Sequence, residues 1–326
     1  MNPHVHTVVA ATGVDVGVPW HYGDPFAEQR TLQTAAGLVD RTNRGVLVVP
    51  GEDRLSWLHS ICSQHVSELR DGDSTEALVL SPHGHVEQHW QVTELGKTVW
   101  LDVEPGMAGN ALDYLQKMRF LKRVEPADVS AEWAVWSLVG PSSDAVLAAA
   151  GLPVPASEAA RVNGGGFVRR MSYGFDMVVT RMSSLPDAVR AAGAAPAGLW
   201  AFEALRVVAR RPRLRFETDH RTIPHEVNWI GSAVHLNKGC YRGQETVARV
   251  QNLGRPPRKL VFLYLSGESD ELPAAGTPIE LDGRAVGFLG TAVQHHELGP
   301  IALAVIKRSV PDEAALRVAG QLVAIG

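Results

Sequence analysis

Apolar and polar positions follow two different rhythms along this chain, and the rhythm changes near residue 255. Before it, helical spacings alternate with β-branched runs; after it, short apolar runs recur with Gly and Pro between them. After an irregular start, the pattern predicts a helix over 28–38 leading into a Gly-Leu-Val-Asp segment. Residues 45–49 read as a strand bounded by Pro50 and Gly51. Asp53 is placed to cap a following helix, on which Leu55, Leu58 and Cys62 share a face. Residues 77–80, 85–93 and 98–103 read as antiparallel strands, the first two joined by the turn chemistry of Ser81-Pro82-His83-Gly84. A helix is predicted over 107–122, with Leu112, Leu115 and Met118 on one face. This order of one strand, a helix, three strands and a helix suggests a split α+β unit.

Residues 133–139 read as a strand followed by an Ala-rich helix, and 167–180 as one or two strands. A helix over 199–209 is cut off by Pro212. The runs at 259–265, 277–281, 284–292 and 301–306 have the pattern of a small all-β module, a barrel or sandwich. Residues 252–257, Asn-Leu-Gly-Arg-Pro-Pro, read as the linker leading into it.

Length, charge and cysteine usage narrow the class. A chain of 326 residues exceeds one ordinary core, so two or three domains are expected. A formal net charge of −4 argues against general binding to nucleic-acid phosphates. The two cysteines, Cys62 and Cys240, form no close pair, which points away from a disulfide framework or structural zinc and toward a reducing, cytoplasmic setting. No Lys or Arg precedes the apolar stretch within residues 1–20, so a secretory signal is not expected. No segment approaches the ~20 apolar residues that span a bilayer, so no membrane partner is expected either.

The chain lacks a Gly-rich loop ending in Gly-Lys-Ser/Thr and a Gly-x-Ser-x-Gly elbow, and its His225-Glu226 pair lacks a zincin's second histidine. His85, Glu87 and His89, beside His83, would share a strand face. Such a set can hold a transition metal, but it is also what a polar, solvent-facing strand looks like, and no metal site is assigned. Arg210-Arg211-Pro212-Arg213-Leu214-Arg215 could hold an anion; the plainer reading is a solvated segment after a helix C-terminus. Cys62, on an apolar helix face, reads as core. Cys240 stands apart, in Lys238-Gly239-Cys240-Tyr241-Arg242-Gly243-Gln244-Glu245. Two glycines bracket the thiol and leave it accessible, and Lys238 and Arg242 bring positive charge that favours a thiolate. One thiolate cannot hold an iron–sulfur cluster alone, so the residues leave open a transient ligand, a redox thiol, a nucleophile or a cysteine in a tight turn.

That octapeptide resembles the Lys-Gly-Cys-Tyr-x-Gly-Gln-Glu signature of the YgfZ-type folate-binding proteins, a branch of the glycine-cleavage T-protein (aminomethyltransferase) superfamily. Ile223-Pro224-His225-Glu226-Val227-Asn228 resembles the segment upstream of it, and Arg249 with Gly254-Arg255 the segment downstream. The resemblance covers most of the chain. Tyr22-Gly23-Asp24-Pro25, 37–42 and 48–53 are similar to the superfamily's opening, and 287–292 with 301–304 to its C-terminal β-domain.

The resemblance implies an α+β, three-domain T-protein-like fold. Residues 1–50 and 135–250 would form a discontinuous α+β domain of ferredoxin-like (split βαβ) type. Residues 51–134 would be a second, inserted α+β domain, and 256–326 a C-terminal β-barrel. It implies tetrahydrofolate as the cofactor, with Asp176, Tyr173 and Arg249 as binding residues. It implies Cys240 as the functional thiol, with Lys238, Tyr241, Gln244 and Glu245 around it. The role implied is an accessory factor for iron–sulfur cluster assembly or repair, with assembly or client proteins as partners, tRNA-modifying iron–sulfur enzymes among them. Nucleic acid is not expected as the main direct partner. The alternative is a folate-dependent aminomethyltransferase. Against it, the position of that enzyme's catalytic aspartate aligns with Gln88, preceded by Glu87, and a folate-binding arginine is replaced by Phe202. An amide cannot relay a proton as a carboxylate does.

Overall fold

The computed structural model describes residues 8–268 and 271–326. The chain divides into two compact units. The first comprises 1–61, 66–76 and 90–202, and the second 62–65, 77–89 and 203–326. The opening residues of the irregular start lie outside the described ones. The rest of that start holds a small antiparallel pair, Val9–Ala10 with Pro19–His21.

The first unit is built on a six-stranded sheet. Its order is Ala159–Arg161, Phe167–Met171, Gly174–Thr180, Trp133–Val139, Gly37–Asp40 and Ala195–Ala197. Neighbours are antiparallel except the last pair, which is parallel. Phe167–Met171 and Gly174–Thr180 form a hairpin whose loop is Ser172-Tyr173. Gly174, at φ +147°, lies so close to the next strand that a Cβ would sit 2.1 Å from the Leu138 carbonyl oxygen, so only glycine fits. Leu38, Leu138, Phe175, Met177 and Val179 point to one face and pack with Leu147 and Val189 of the helices Ser143–Ala149 and Leu185–Ala191. The opposite face carries Phe167, Val135 and Val178, packed with Val46, Leu95 and Trp100 of a second sheet. That sheet has five strands in the order Ser74–Leu80, Val86–Leu95, Thr98–Val103, Gly45–Pro50, Ala127–Asp128.

The second unit contains a closed six-stranded barrel. Its order is Arg258–Tyr264, Gly299–Lys307, Arg284–His295, Pro278–Leu281, Leu316–Val318, Gln321–Ile325, and the last strand returns to pair with the first. Leu263, Ile279, Leu289, Ala304, Ile306 and Leu316 fill its interior. The α+β class with a C-terminal β-barrel is therefore as expected from the sequence.

Three elements differ from expectation. The first helix runs Pro25–Thr34, not 28–38. Asp24 caps it by accepting from the Phe26 and Ala27 N–H groups, Pro25 supplies the preset first residue, and Gly37–Asp40 is a strand. The helix expected over 107–122 is Ala108–Lys117. Its missing last turn has nothing to bury against: Phe120 takes φ +45° and Leu121 is fully exposed. The start of the expected linker is instead the end of a helix, Gln244–Leu253, which Gly254 closes at φ +70°. Asp53 precedes the helix Arg54–Ile61, but its carboxylate accepts from the Arg123 N–H group.

Candidate functional site

The candidate site residues fall in two constellations, one in each unit, and each grows from local geometry. In the first unit, Arg169, Asp176, Ser137 and Val39 are direct cross-strand partners on four successive strands. Directly opposed residues project from the same face. The row therefore continues the face that carries Phe167, Val178 and Val135, and there the packing turns from apolar to ionic.

Asp176 is buried at the centre of that row, on an interior strand and not at a strand edge. Its Oδ2 accepts from Arg169 Nη2 at 2.6 Å and its Oδ1 from Ser137 Oγ at 2.6 Å. Arg169 Nη1 donates to Asp102 Oδ1 at 2.7 Å. Arg44 donates from Nε to Asp102 at 2.9 Å and from Nη1 to Glu104 at 3.0 Å. Arg41 Nη1 donates to Ser137 Oγ at 3.2 Å and lies 3.6 Å from Asp176. Three guanidiniums thus face three carboxylates. Buried charge is tolerable only when paired in this way, since an orphaned partner carries an uncompensated desolvation cost. Burial alone would raise the Asp102 pKa; Arg169 and Arg44 outweigh it and hold the carboxyl below its ordinary value.

Arg41 differs from the other members. Its side chain keeps 14% exposure, against 2–7% for Arg44, Asp102, Glu104, Arg169 and Asp176. Its guanidinium carbon lies 4.5 Å from the centre of the Phe202 ring, whose edge meets half-buried Tyr173 at 5.8 Å. A cation over an aromatic face is held electrostatically as well as by packing.

In the second unit the signature residues form one loop. Tyr241 is buried and Cys240 exposed. Burial pushes the Tyr241 phenol up to about 12. Lys238 turns its amine to backbone carbonyls. Its buried Nζ donates to the Cys62 and Gln64 carbonyls at 2.6 and 3.2 Å and lies 5.1 Å from the Tyr241 ring centre. Burial lowers its pKa. The 62–65 segment is tied to the same loop region: Ser63 Oγ donates to the Ala233 carbonyl, Gln64 Nε2 to that of Ser232, and the His235 N–H to the Ser63 carbonyl. Cys62 is buried, and burial raises its thiol pKa.

The far side of the loop seats on the turn at 81–84. Gly243 stands at φ +83°, where a Cβ would lie 2.6 Å from the Ser81 carbonyl oxygen. Arg242 pairs with Glu87 at 3.1 and 3.3 Å. Of the two bracketing glycines, Gly243 therefore needs the left-handed backbone, while Gly239 does not adopt it. The helix Gln244–Leu253 follows at once. Gln244 is half-buried in its first turn, and Glu245 and Arg249 are exposed. Gln88 is buried beside Glu87 in the chain.

The structure thus gathers Lys238, Cys240, Tyr241, Gln244, Glu245 and Arg249 on one segment of the second unit, and Tyr173 with Asp176 in the first. Sequence reasoning missed Arg41, Arg44, Asp102, Ser137 and Arg169. The available signal was the hairpin, because a two-residue loop at Ser172-Tyr173 sets Arg169 opposite Asp176. The arginine run at 210–215 is only in part the solvated segment expected: Arg210 and Arg215 are exposed. Arg213 is buried near Glu203 and over Phe216, and Arg210 donates to the Gly326 carbonyl and lies over Phe262. His89 stacks on Trp229. Among the described residues no helix is long and apolar enough to cross a membrane.

Comparison with known proteins places these features in a family. The GCVT N-terminal domain family model matches residues 9–238. A chloroplastic protein of Arabidopsis thaliana named as a transferase is 26% identical over 276 residues, which span 77% of this chain and only 60% of that protein. An aminomethyltransferase of Geobacillus kaustophilus is 29% identical over 314 residues, covering 90% of this chain and 85% of that one. The crystal structure of glycine cleavage system aminomethyltransferase T from Bartonella henselae has the same fold, with a TM-score of 0.86 at 17% identity over 98% of this chain and 93% of that one. With a family model matched over most of its length, this chain belongs to the GCVT N-terminal domain family.

Proposed function

We propose that this protein is a tetrahydrofolate-binding accessory factor of the YgfZ type, supporting assembly or repair of iron–sulfur enzymes, tRNA-modifying ones among them. The observation that carries this reading is the seat of Cys240. The thiol is exposed on a loop pinned on one side by Lys238 and on the other by Gly243 and Arg242. A loop fixed at both ends presents its thiol in one geometry, as a transient ligand or exchange partner requires. The proposed roles follow from placement. Cys240 is the reacting thiol, Lys238 and Tyr241 hold its loop, and Gln244 and Glu245 face a partner.

Tetrahydrofolate is weighed on the Asp176 neighbourhood. Tyr173, Phe202 and Arg41 offer two aromatic rings and a solvent-reaching cation, a set that fits a flat ligand rich in acceptors. When bound, the cofactor would supply a carrier for one-carbon units.

The second reading, a folate-dependent aminomethyltransferase, is favoured by the similarity to proteins of that name. Against it stand Gln88 at the expected acid position and the tie of Glu87 to Arg242.

The test is iron–sulfur enzyme activity in a strain lacking the protein, complemented with wild type or Cys240→Ala. Restoration by wild type alone supports the assembly role. Restoration by both removes Cys240 from it. Unaffected iron–sulfur enzymes in the deletion strain, with one-carbon transfer to tetrahydrofolate by the purified protein, would favour the transferase.

A further inference from the structure

The sequence resemblance points to Asp176 as the carboxylate that meets a ligand, and the geometry around it suggests a different division of labour. Both Asp176 oxygens are already engaged, one by Arg169 and the other by Ser137, and the residue is buried. Arg41 stands in front of it. Its Nη1 is taken by Ser137 and lies beside Asp176, while among the described residues no acceptor meets its Nε or Nη2. Those two N–H groups form the side-on fork of a guanidinium, which matches two acceptor atoms lying in one plane. The guanidinium carbon lies 4.5 Å from the centre of the Phe202 ring, a contact that helps to hold the group in place.

We infer that Arg41 is the ligand-binding group of the first unit, that it grips a coplanar pair of acceptor atoms, and that Asp176 with Ser137 and Phe202 holds it in place. Asp176 is then a positioning residue. Arg41 also supplies, from the end of a strand, the cation that the chain lacks at Phe202 on its later helix. For the identity of the ligand this rests on the folate reading; for the geometry it does not. A reduced folate carries such a coplanar pair in the carboxylates of its glutamate tail; at the carbonyl edge of its pterin, N5 bears a hydrogen or a one-carbon group and offers no acceptor beside O4.

The experiment is calorimetric titration of 5-formyltetrahydrofolate, of pterin and of p-aminobenzoylglutamate into the full chain as wild type, Arg41→Gln and Arg41→Lys. Thermal midpoints are measured on the same samples. Arg41→Gln is expected to weaken the intact folate roughly ten- to hundredfold and to weaken p-aminobenzoylglutamate but not pterin. Arg41→Lys, which keeps the charge and loses the fork, is expected to recover only part of that loss. Its thermal midpoint shows that the binding loss is not a loss of fold. Equal binding by wild type and Arg41→Gln overturns the inference. So does equal weakening of both fragments, which would mark a general disturbance. Absence of binding by wild type removes the folate reading instead. The Arg41 geometry is then decided by phenylglyoxal labelling of the native protein with peptide mapping. Labelling at Arg41 and not at Arg44 or Arg169 upholds the open fork, and an unlabelled Arg41 overturns it.

Discussion

The two constellations are held by opposite means. Around Asp176 the side chains do the holding: six charged groups, most of them buried, fix one another through ion pairs. Around Cys240 the backbone does it, through carbonyls that receive Lys238 and a glycine that admits no side chain. The first arrangement fails when a charge is removed. The second fails when an atom is added.

The largest effect should come from the ionic row. Asp102→Ala leaves Arg44 and Arg169 short of a partner, and unfolding in urea should show a loss of about 3–5 kcal/mol. A loss under ~1 kcal/mol would mean that water enters the row and that the contrast between the two regions is weaker than drawn.

Next is alkaline pH at the loop. Burial raises the Tyr241 phenol to about 12 from its ordinary value of 10.0. Between those values the native state keeps a proton that the unfolded state has released, so stability falls as pH rises from 10 to 12, by up to about 3 kcal/mol. Burial also raises the Tyr22 phenol, so absorbance at the tyrosinate band should show a late phase to which both contribute, and Tyr241→Phe should shrink it by one tyrosine. An undiminished late phase in the variant would assign it elsewhere.

Gly243→Ala comes third. It forces a left-handed alanine against the Ser81 carbonyl, costing roughly 1–3 kcal/mol. The rate at which iodoacetamide labels Cys240 should change with it. An unchanged rate would show that the seat on the 81–84 turn does not set how the thiol is presented.

The smallest effect on stability should be that of Cys240→Ser, within about 0.5 kcal/mol because the side chain is exposed. In the native protein a thiol reagent should titrate one cysteine before the change and none after it, with Cys62 reacting only on unfolding.

Much of the fold was legible because its strands carry plain signals. Trp133–Val139 and Thr98–Val103 are β-branched and aromatic runs between turn residues, and both formed with the expected bounds. The helix Gln244–Leu253 was not, because Val247 is its one fully buried side chain and so leaves no apolar stripe to read. Cys240 was legible as a site through the residues around it, but the use of Lys238 was not. A lysine near a cysteine suggests thiolate stabilisation, and only the fold shows that the amine is spent on carbonyls. The ionic row was hidden for a related reason. Charged residues in strands read as solvent-facing, and it takes the register across four strands to show that Arg169 and Asp176 look inward.

The closed barrel bears on how this protein is made. Its first strand, Arg258–Tyr264, pairs with its last, through Leu263 with Ile325 and Tyr264 with Ala324. On the ribosome that edge stays open until residues 321–325 have emerged. The nascent module therefore keeps one strand edge unpaired until its last strand is made, which is the interval in which a chaperone has most to shield.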